Sequence, residues 1–366
     1  MFLKKEFMFK IMMVSIVAMF IFSCGSGLSP KAKRELRIAN NKLKIAKKYE
    51  LALEHFQNVL KEYPNHLESL KNSGDIYFFL AEQNADKAVE YYKKSYIQYD
   101  KFINLTEQKE RLREEEKEWK EDANKKKKSS WVRIYKKAKE KYDNKKYDEA
   151  IAIYEELLDI DPSNVSALTM MANSYIKKGD QANAIETFKK ILQAEPENKS
   201  ALTQVAYHEL QEGNTENALR HFKKLRKLEP KNVDYLYNIA LIYNRMEEHE
   251  KAKELYKKII EIQPNAEDAY KQLAYYARND KEKAIEIYKK LIEINPENKD
   301  YYQNLTIYYN KMKDYDKVIT YGEKWLDLEY SRINKLDIIK ILRFAAMKLG
   351  RDDLVKKYQQ MESELE

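Results

Sequence analysis

One cysteine, five histidines and a scatter of paired carboxylates are the side chains from which this chain would have to build a reaction. The histidines, His55, His66, His208, His221 and His249, show no metal-ligand spacing with one another or with the cysteine. Adjacent carboxylates such as Glu155 and Glu156 recur, but among helix-forming residues whose outer faces are normally solvated. A phosphate-cradling loop needs clustered glycines, and the glycines after Gly27 are all isolated. No catalytic set, no metal and no cofactor is therefore expected, and the chain does not read as an enzyme. The remaining chemistry is that of Cys24, which sits in "MFIFSCGSGLSP", behind an apolar run and ahead of small residues.

The elements that place this thiol are simple. Lys4, Lys5 and Lys10 precede twelve uncharged residues, Ile11 to Phe22. As a helix that run reaches only about 18 Å, short of a bilayer core of about 30 Å. A basic flank, a short apolar core and small residues behind it are the parts of a secretory signal. The run Ile21, Phe22, Ser23, Cys24 resembles a bacterial lipoprotein signal, with Phe22 and Ser23 off that family's consensus. The resemblance implies cleavage before Cys24, a diacylglyceryl group on its sulfur and an acylated amino terminus. Residues 1–23 are then the signal and 24–32 the tether. An ordinary cleaved signal or an uncleaved anchor are the alternatives. Every version places the bulk of the chain in the cell envelope, facing the periplasm or the cell surface, and Gly25 after the cysteine favours the outer membrane. Only Gly25 to Pro30, about 20 Å when extended, would separate the lipid from the helical part. No cysteine remains for a disulfide, so stability must come from packing.

Charged residues make up 35% of the 366, with only 7 glycines and 7 prolines, a helix-rich composition. The 68 basic and 60 acidic residues leave a net charge of +8, part of which belongs to the signal, so nucleic acid is not an expected partner.

A ruler runs through the chain. Pro162, Pro196, Pro230 and Pro264 stand 34 residues apart, each closely followed by asparagine, and Gly179 and Gly213 keep the same period. So do Ala150, Ala184, Ala218 and Ala252, each four residues ahead of Tyr154, Phe188, Phe222 or Tyr256. With Leu168, Met171, Ala172 and Tyr175 filling its first-helix pattern, the segment 168–196 resembles the tetratricopeptide repeat, a helix–turn–helix unit. The fold expected is all-α, a superhelical solenoid of antiparallel helix pairs. The small Ala172 and Ala184 let paired helices approach, while Tyr175 and Phe188 fill the gaps between pairs. Two repeats are expected over 33–100, with Ala52, Phe56, Gly74, Tyr77, Ala88 and Tyr92 at the matching slots, and six over 131–330. The seventh, ending at Pro296, is two residues short, and the eighth has Val318 and Gly322 where alanine and an aromatic belong. Residues 331–366 carry a weaker terminal pair, with Ile338, Ile341, Leu354 and Tyr358 facing inward.

Residues 101–130, rich in helix formers, read as a charged linker. It is a solvated helix, with Glu116–Lys120 and Glu121–Lys125 pairs, that fades into Lys125 to Lys128. Ser129 or Ser130 would cap a new helix starting near Trp131. The alternative role for these lysines is contact with anionic lipid or polymer, and Arg34, Arg37, Lys44 and Lys71 form a second basic set near the anchor.

In the tetratricopeptide family partners usually bind along the first helices of the units. Carried over, those slots hold Tyr135, Lys139, Tyr142, Thr169, Asn173, Lys177, Thr203, Tyr207, Leu210, Tyr237, Leu241, Asn244, Arg245, Lys271, Tyr275, Arg278, Gln303, Ile307 and Asn310. Of these, Tyr135, Tyr142, Asn173, Tyr207, Tyr237, Asn244, Arg245, Tyr275, Arg278 and Asn310 are the candidate partner-binding residues. Tyrosine offers a large face with little entropy to lose, and Asn and Arg add donors for a peptide. The expected function is a membrane-anchored scaffold that binds a protein or peptide. The rivals are self-association through the tyrosines and an envelope enzyme with a cleft of clustered carboxylates.

Overall fold

Periodic apolar residues fold into helices throughout the computed structural model, which describes residues 27–44 and 47–365. The leader, the lipobox residues and Cys24 lie outside the described residues. Eighteen α-helices and no strand are present among the described residues. Eight helices belong to a unit ending at Pro196. They are α1 (Pro30–Lys44), α2 (Tyr49–Glu62), α3 (Leu67–Gln83), α4 (Ala88–Glu107), α5 (Glu114–Asp143), α6 (Tyr147–Leu158), α7 (Val165–Lys178) and α8 (Gln181–Ala194). A second unit, Glu197–Glu366, holds α9 (Lys199–Gln211), α10 (Thr215–Leu228), α11 (Val233–Arg245), α12 (His249–Ile262), α13 (Glu267–Tyr276), α14 (Lys281–Ile294), α15 (Lys299–Met312), α16 (Tyr315–Leu328), α17 (Arg332–Lys348) and α18 (Asp352–Leu365). Within each unit consecutive helices pair as hairpins, and each hairpin packs on the next.

The punctuation is local. Two residues after Pro162, Pro196, Pro230 and Pro296 an asparagine begins a first helix, whereas after Pro64 and Pro264 that place is held by His66 and Ala266. Asn164, Asn198, Asn232 and Asn298 each accept a backbone N–H of the turn they open, a cap whose loss costs about 1 kcal/mol. Ser29 does the same for α1, accepting from Ala32 N–H at 3.1 Å, so α1 begins at Pro30, within the expected tether. Most first helices end on a left-handed residue, α3 and α13 being the exceptions. Gly179 (φ 85°), Gly213 (80°) and Gly350 (68°) take this conformation without strain, whereas Lys145 (62°), Glu247 (60°) and Lys313 (64°) take it against their Cβ.

Packing follows the alanine–aromatic pairs. Ala52 and Phe56, Ala150 and Tyr154, Ala184 and Phe188, Ala218 and Phe222, and Ala252 and Tyr256 are buried on the second helices. Each large side chain contributes about 1.5–3 kcal/mol by leaving water. Gly322 stands in an aromatic slot because Leu342 of α17 fills the space, its Cδ2 2.7 Å from where a Cβ would be.

The expected linker is corrected. α4 runs on to Glu107, the helix is interrupted over 108–113, and α5 runs unbroken from Glu114 to Asp143. Its thirty residues span about 45 Å. The first half packs on α3 and α4, with Ala123 and Trp119 against Leu70, Tyr99, Phe102 and Ile103. The second half pairs with α6 as the first helix of the third hairpin. Ser130 caps nothing. It is buried in mid-helix, its Oγ 3.4 Å from that of Ser95. The lysine run does not end the helix because its cations have partners. Lys126 bonds Asp75 and Asp122, both at 2.8 Å, and Lys127 bonds Asp100 at 2.5 Å. The helix start is fixed by Glu116, which accepts from Arg113 N–H (3.0 Å), the Arg113 guanidinium and Lys109 (both 2.9 Å). Glu121–Lys125 forms as expected at 2.6 Å, but Lys120 reaches toward Glu107 and not Glu116.

Candidate partner-binding face

The left-handed residue that ends a first helix supplies a register for the whole array. Six positions ahead of it stand Asn41, Lys139 and Asn173 in the N-terminal unit, and Tyr207, Leu241, Ile307 and Phe344 in the C-terminal unit. α3 and α13 end without such a residue, and the 34-residue period places Asp75 and Tyr275 at the same slot. The slot is polar in the first unit and apolar in the second. Its members in the second unit are exposed: Tyr207 by 40%, Leu241 42%, Tyr275 58%, Ile307 37% and Phe344 47%. A single exposed apolar side chain is ordinary, but five at one register on successive first helices are a row.

Side chains beside the row are held in place. Tyr207 packs edge-on to Phe222, ring centres 5.3 Å apart, and its hydroxyl accepts from Asn238 of the next first helix at 3.1 Å. The Arg278 guanidinium lies 4.5 Å above the Tyr275 ring, and its N–H donates to the Tyr275 carbonyl at 3.0 Å. Arg245 donates to the Leu210 carbonyl at 3.1 Å. Both arginines thus bond main-chain oxygens and keep their charge for another molecule. Asn310 is exposed at the end of α15.

Other candidates serve the packing. The Asn244 amide spans two tyrosines, donating to the Tyr256 hydroxyl at 3.3 Å and accepting from Tyr276. Tyr237 is half-buried against Tyr256, and burial pushes its hydroxyl pKa up. In the N-terminal unit Tyr135 lies between Trp131, stacked at 5.2 Å, and Tyr154, edge-on at 5.9 Å. Tyr142 meets Tyr147 edge-on, and Asn173 is half-buried on α7. Lys71, read as part of a basic face toward lipid, is instead paired with Asp75 (2.5 Å) and Asp122 (3.3 Å) inside the α3–α5 packing. Phe344 escaped the sequence reading because α17 is three residues longer than α15, which shifts the slot out of period.

An open cleft of about 590 Å³ lies in the N-terminal unit between α6, α7 and α8, lined by Leu168, Met171, Tyr175, Thr187 and Lys190, among others. Of its rim carboxylates, Asp159 bonds Lys93 at 2.7 Å. No group of three His, Cys, Asp or Glu able to hold a metal occurs among the described residues, and none of their helices is long and apolar enough to cross a membrane.

Comparison with known proteins gives a consistent result. Profiles described as "Tetratricopeptide repeat" match residues 141–205 and 209–275, 273–298, and 35–66, together about half of the chain. Among solved structures, MamA is 27% identical, with 43% of this chain and 94% of that one covered and a TM-score of 0.37. A tetratricopeptide repeat protein from Parabacteroides merdae is 17% identical, covering 65% and 93%, with a TM-score of 0.39. PilF of Pseudomonas aeruginosa is 18% identical, covering 54% and 91%, with a TM-score of 0.36. No curated protein matches by sequence.

Proposed function

Because the chain belongs to the tetratricopeptide-repeat family, we propose that it is a binding scaffold that takes up a protein or peptide partner on the first helices of residues 197–366. A lipid on Cys24 holds it at an envelope membrane, on the periplasmic or cell-surface side. The observation that carries the reading is the exposed row Tyr207, Leu241, Tyr275, Ile307 and Phe344. Those side chains leave apolar area in water that a partner would cover, at about 25 cal/mol for each Å² buried. Hydrogen bonds and ring stacking already fix Tyr207 and Tyr275, so little rotamer freedom is left to lose on binding. The scaffold's contribution is the placement and local concentration of its partner at the membrane.

Crosslinked pull-down from membranes tests the face. The variant Tyr207→Ala, Leu241→Ala, Tyr275→Ala is expected to lose partners that the native chain captures, and full retention of them overturns the reading. Cys24→Ser tests the anchor: the protein should then leave salt-washed membranes, and a leader-free form that stays bound contradicts lipidation. Light scattering adds a third outcome. A dimer that dissolves in the triple variant would make the partner a second copy of this chain.

A further inference from the structure

Four of the five members of the apolar row, all but Tyr207, are flanked on both sides by charge. Seven residues ahead of Leu241, Tyr275, Ile307 and Phe344 stand Asp234, Asp268, Asp300 and Asp337, all exposed. Three or four residues behind them stand Arg245, Arg278, Lys311 and Lys348, also exposed. Spacings of seven, three and four return to the same helix face. The second unit therefore presents three bands, acidic, apolar and basic, along α11, α13, α15 and α17, with Arg278 in the turn just past the end of α13. At about 1.5 Å per residue the outer bands are about 16 Å apart.

The cations lean on the row. Arg278 covers Tyr275 at 4.5 Å, Lys348 covers Phe344 at 5.3 Å, and Lys311 covers the neighbouring Tyr308 at 5.5 Å. Asp268 shares Lys271 at 3.3 Å. Acidic first turns and basic last turns also suit each helix's own dipole. That accounts for the charges singly but leaves the exposed apolar row between them unexplained.

Resting on the docking reading above, we propose that the occupant of this face is an amphipathic α-helix of mixed flank charge. It lies along the row with large apolar residues on the rungs, basic residues toward the Asp234–Asp337 band and acidic residues toward the Arg245–Lys348 band. Two dimensions support the match. Neighbouring rungs lie within side-chain reach of each other, as the 3.1 Å bond from Asn238 to the Tyr207 hydroxyl across two first helices shows, and residues one heptad apart in a helix recur about every 10.5 Å. A helix with its side chains is about 10–12 Å wide, so it fills the space between the charged bands and its long side chains reach both. An extended strand repeats its same-face side chains about every 6.8 Å, which falls short of the rungs, and it is too narrow to meet both bands at once.

The test uses the full chain and synthetic fluorescein-labelled peptides of about 28 residues, four heptads of helix. The probe carries leucines on one stripe, lysines on one flank and glutamates on the other. Comparison peptides carry lysine on both flanks, glutamate on both flanks, or a central proline that breaks the helix. By fluorescence anisotropy the mixed peptide should bind at least about tenfold more tightly than either single-sign peptide or the proline peptide. In Asp234→Lys, Asp268→Lys, Asp300→Lys the ranking should turn over, with the all-glutamate peptide now preferred. The inference is overturned if a single-sign peptide equals the mixed one, if the proline peptide binds as well, or if the ranking survives the charge reversal. If no peptide binds while the triple apolar variant still loses its crosslinked partner, the helix is the wrong occupant and the docking reading stands. If that variant keeps every partner, both fail.

Discussion

Gly74→Ala sets two effects of known size against each other. Gly74 lies in the interior of α3, where alanine is worth about 1 kcal/mol more than glycine by helix propensity alone. A Cβ there would stand 2.7, 2.9 and 3.0 Å from Cε1, Cδ1 and Cζ of Tyr99. That ring cannot easily retreat: it is fully buried among Leu70, Phe102, Ile103 and Ala123, and its hydroxyl donates to Asp75 at 2.7 Å. Overpacking a core of this kind typically costs about 1–3 kcal/mol. The clash should outweigh the propensity, leaving a net loss of about 1 kcal/mol, up to about 2. Gly322→Ala is the internal control. There the near neighbour is only the Cδ2 tip of Leu342, with the next atoms at 3.5 Å, so a rotamer change relieves the contact and the net effect should lie between zero and a small gain. Repeat arrays do not unfold in one step, so hydrogen exchange resolved by helix is the suitable assay. Protection should fall in α3 and α4 for Gly74→Ala and stay unchanged in α16 and α17 for Gly322→Ala. Equal protection in the two variants, or a gain in α3, would refute the reasoning.

Three further outcomes are expected. Glu116 is held down to about pKa 2, first by its side-chain bond with Arg113. Its folded value lies below its unfolded one, so its stabilisation is present above about pH 4.3 and is lost as pH falls toward 2. The melting-temperature gap between the native chain and Glu116→Gln should therefore be constant above about pH 5 and close on acidification, and a gap independent of pH would exclude this role. Asp75→Asn removes the carboxylate shared by Lys71, Lys126 and Tyr99. It should lower the hydrogen-exchange stability of α3 and α5 by about 2–3 kcal/mol, with part recovered in Asp75→Asn, Lys126→Met; no recovery would mean that the lysine is not the group left uncompensated. Glu247→Gly relieves a left-handed φ of 60° and should raise stability by about 0.5 kcal/mol or more, whereas a lower melting temperature would show that the turn is not strained.

The hairpin order was legible in the sequence because its punctuation repeats. Prolines, asparagine caps, and Gly179 and Gly213 fall on one period, and each has a local backbone reason that does not depend on distant residues. What stayed hidden needed partners far along the chain. Lys126 and Lys127 read as solvated because Asp75 and Asp100 are 51 and 27 residues away. Without those bonds a lysine run does look like the end of a helix. Asn244 matched a binding slot, yet the hydroxyls of Tyr256 and Tyr276 on two other helices occupy its amide. The apolar row was visible as separate residues. That it is polar in one unit and apolar in the other emerged only when the left-handed turns at Lys145, Glu247 and Lys313 supplied a register that no glycine marks.

The unbroken α5 also has a mechanical consequence. A stack of hairpins normally parts at the seams between neighbours, each seam being a flexible turn. Between the second and third hairpins there is no seam beyond Arg113, because one rod serves both. Prising them apart would have to snap that rod or drag its front half off Tyr99 and Phe102. Tension arriving from the amino-terminal side would therefore pass this point undiminished and spend itself on the ordinary turns beyond it.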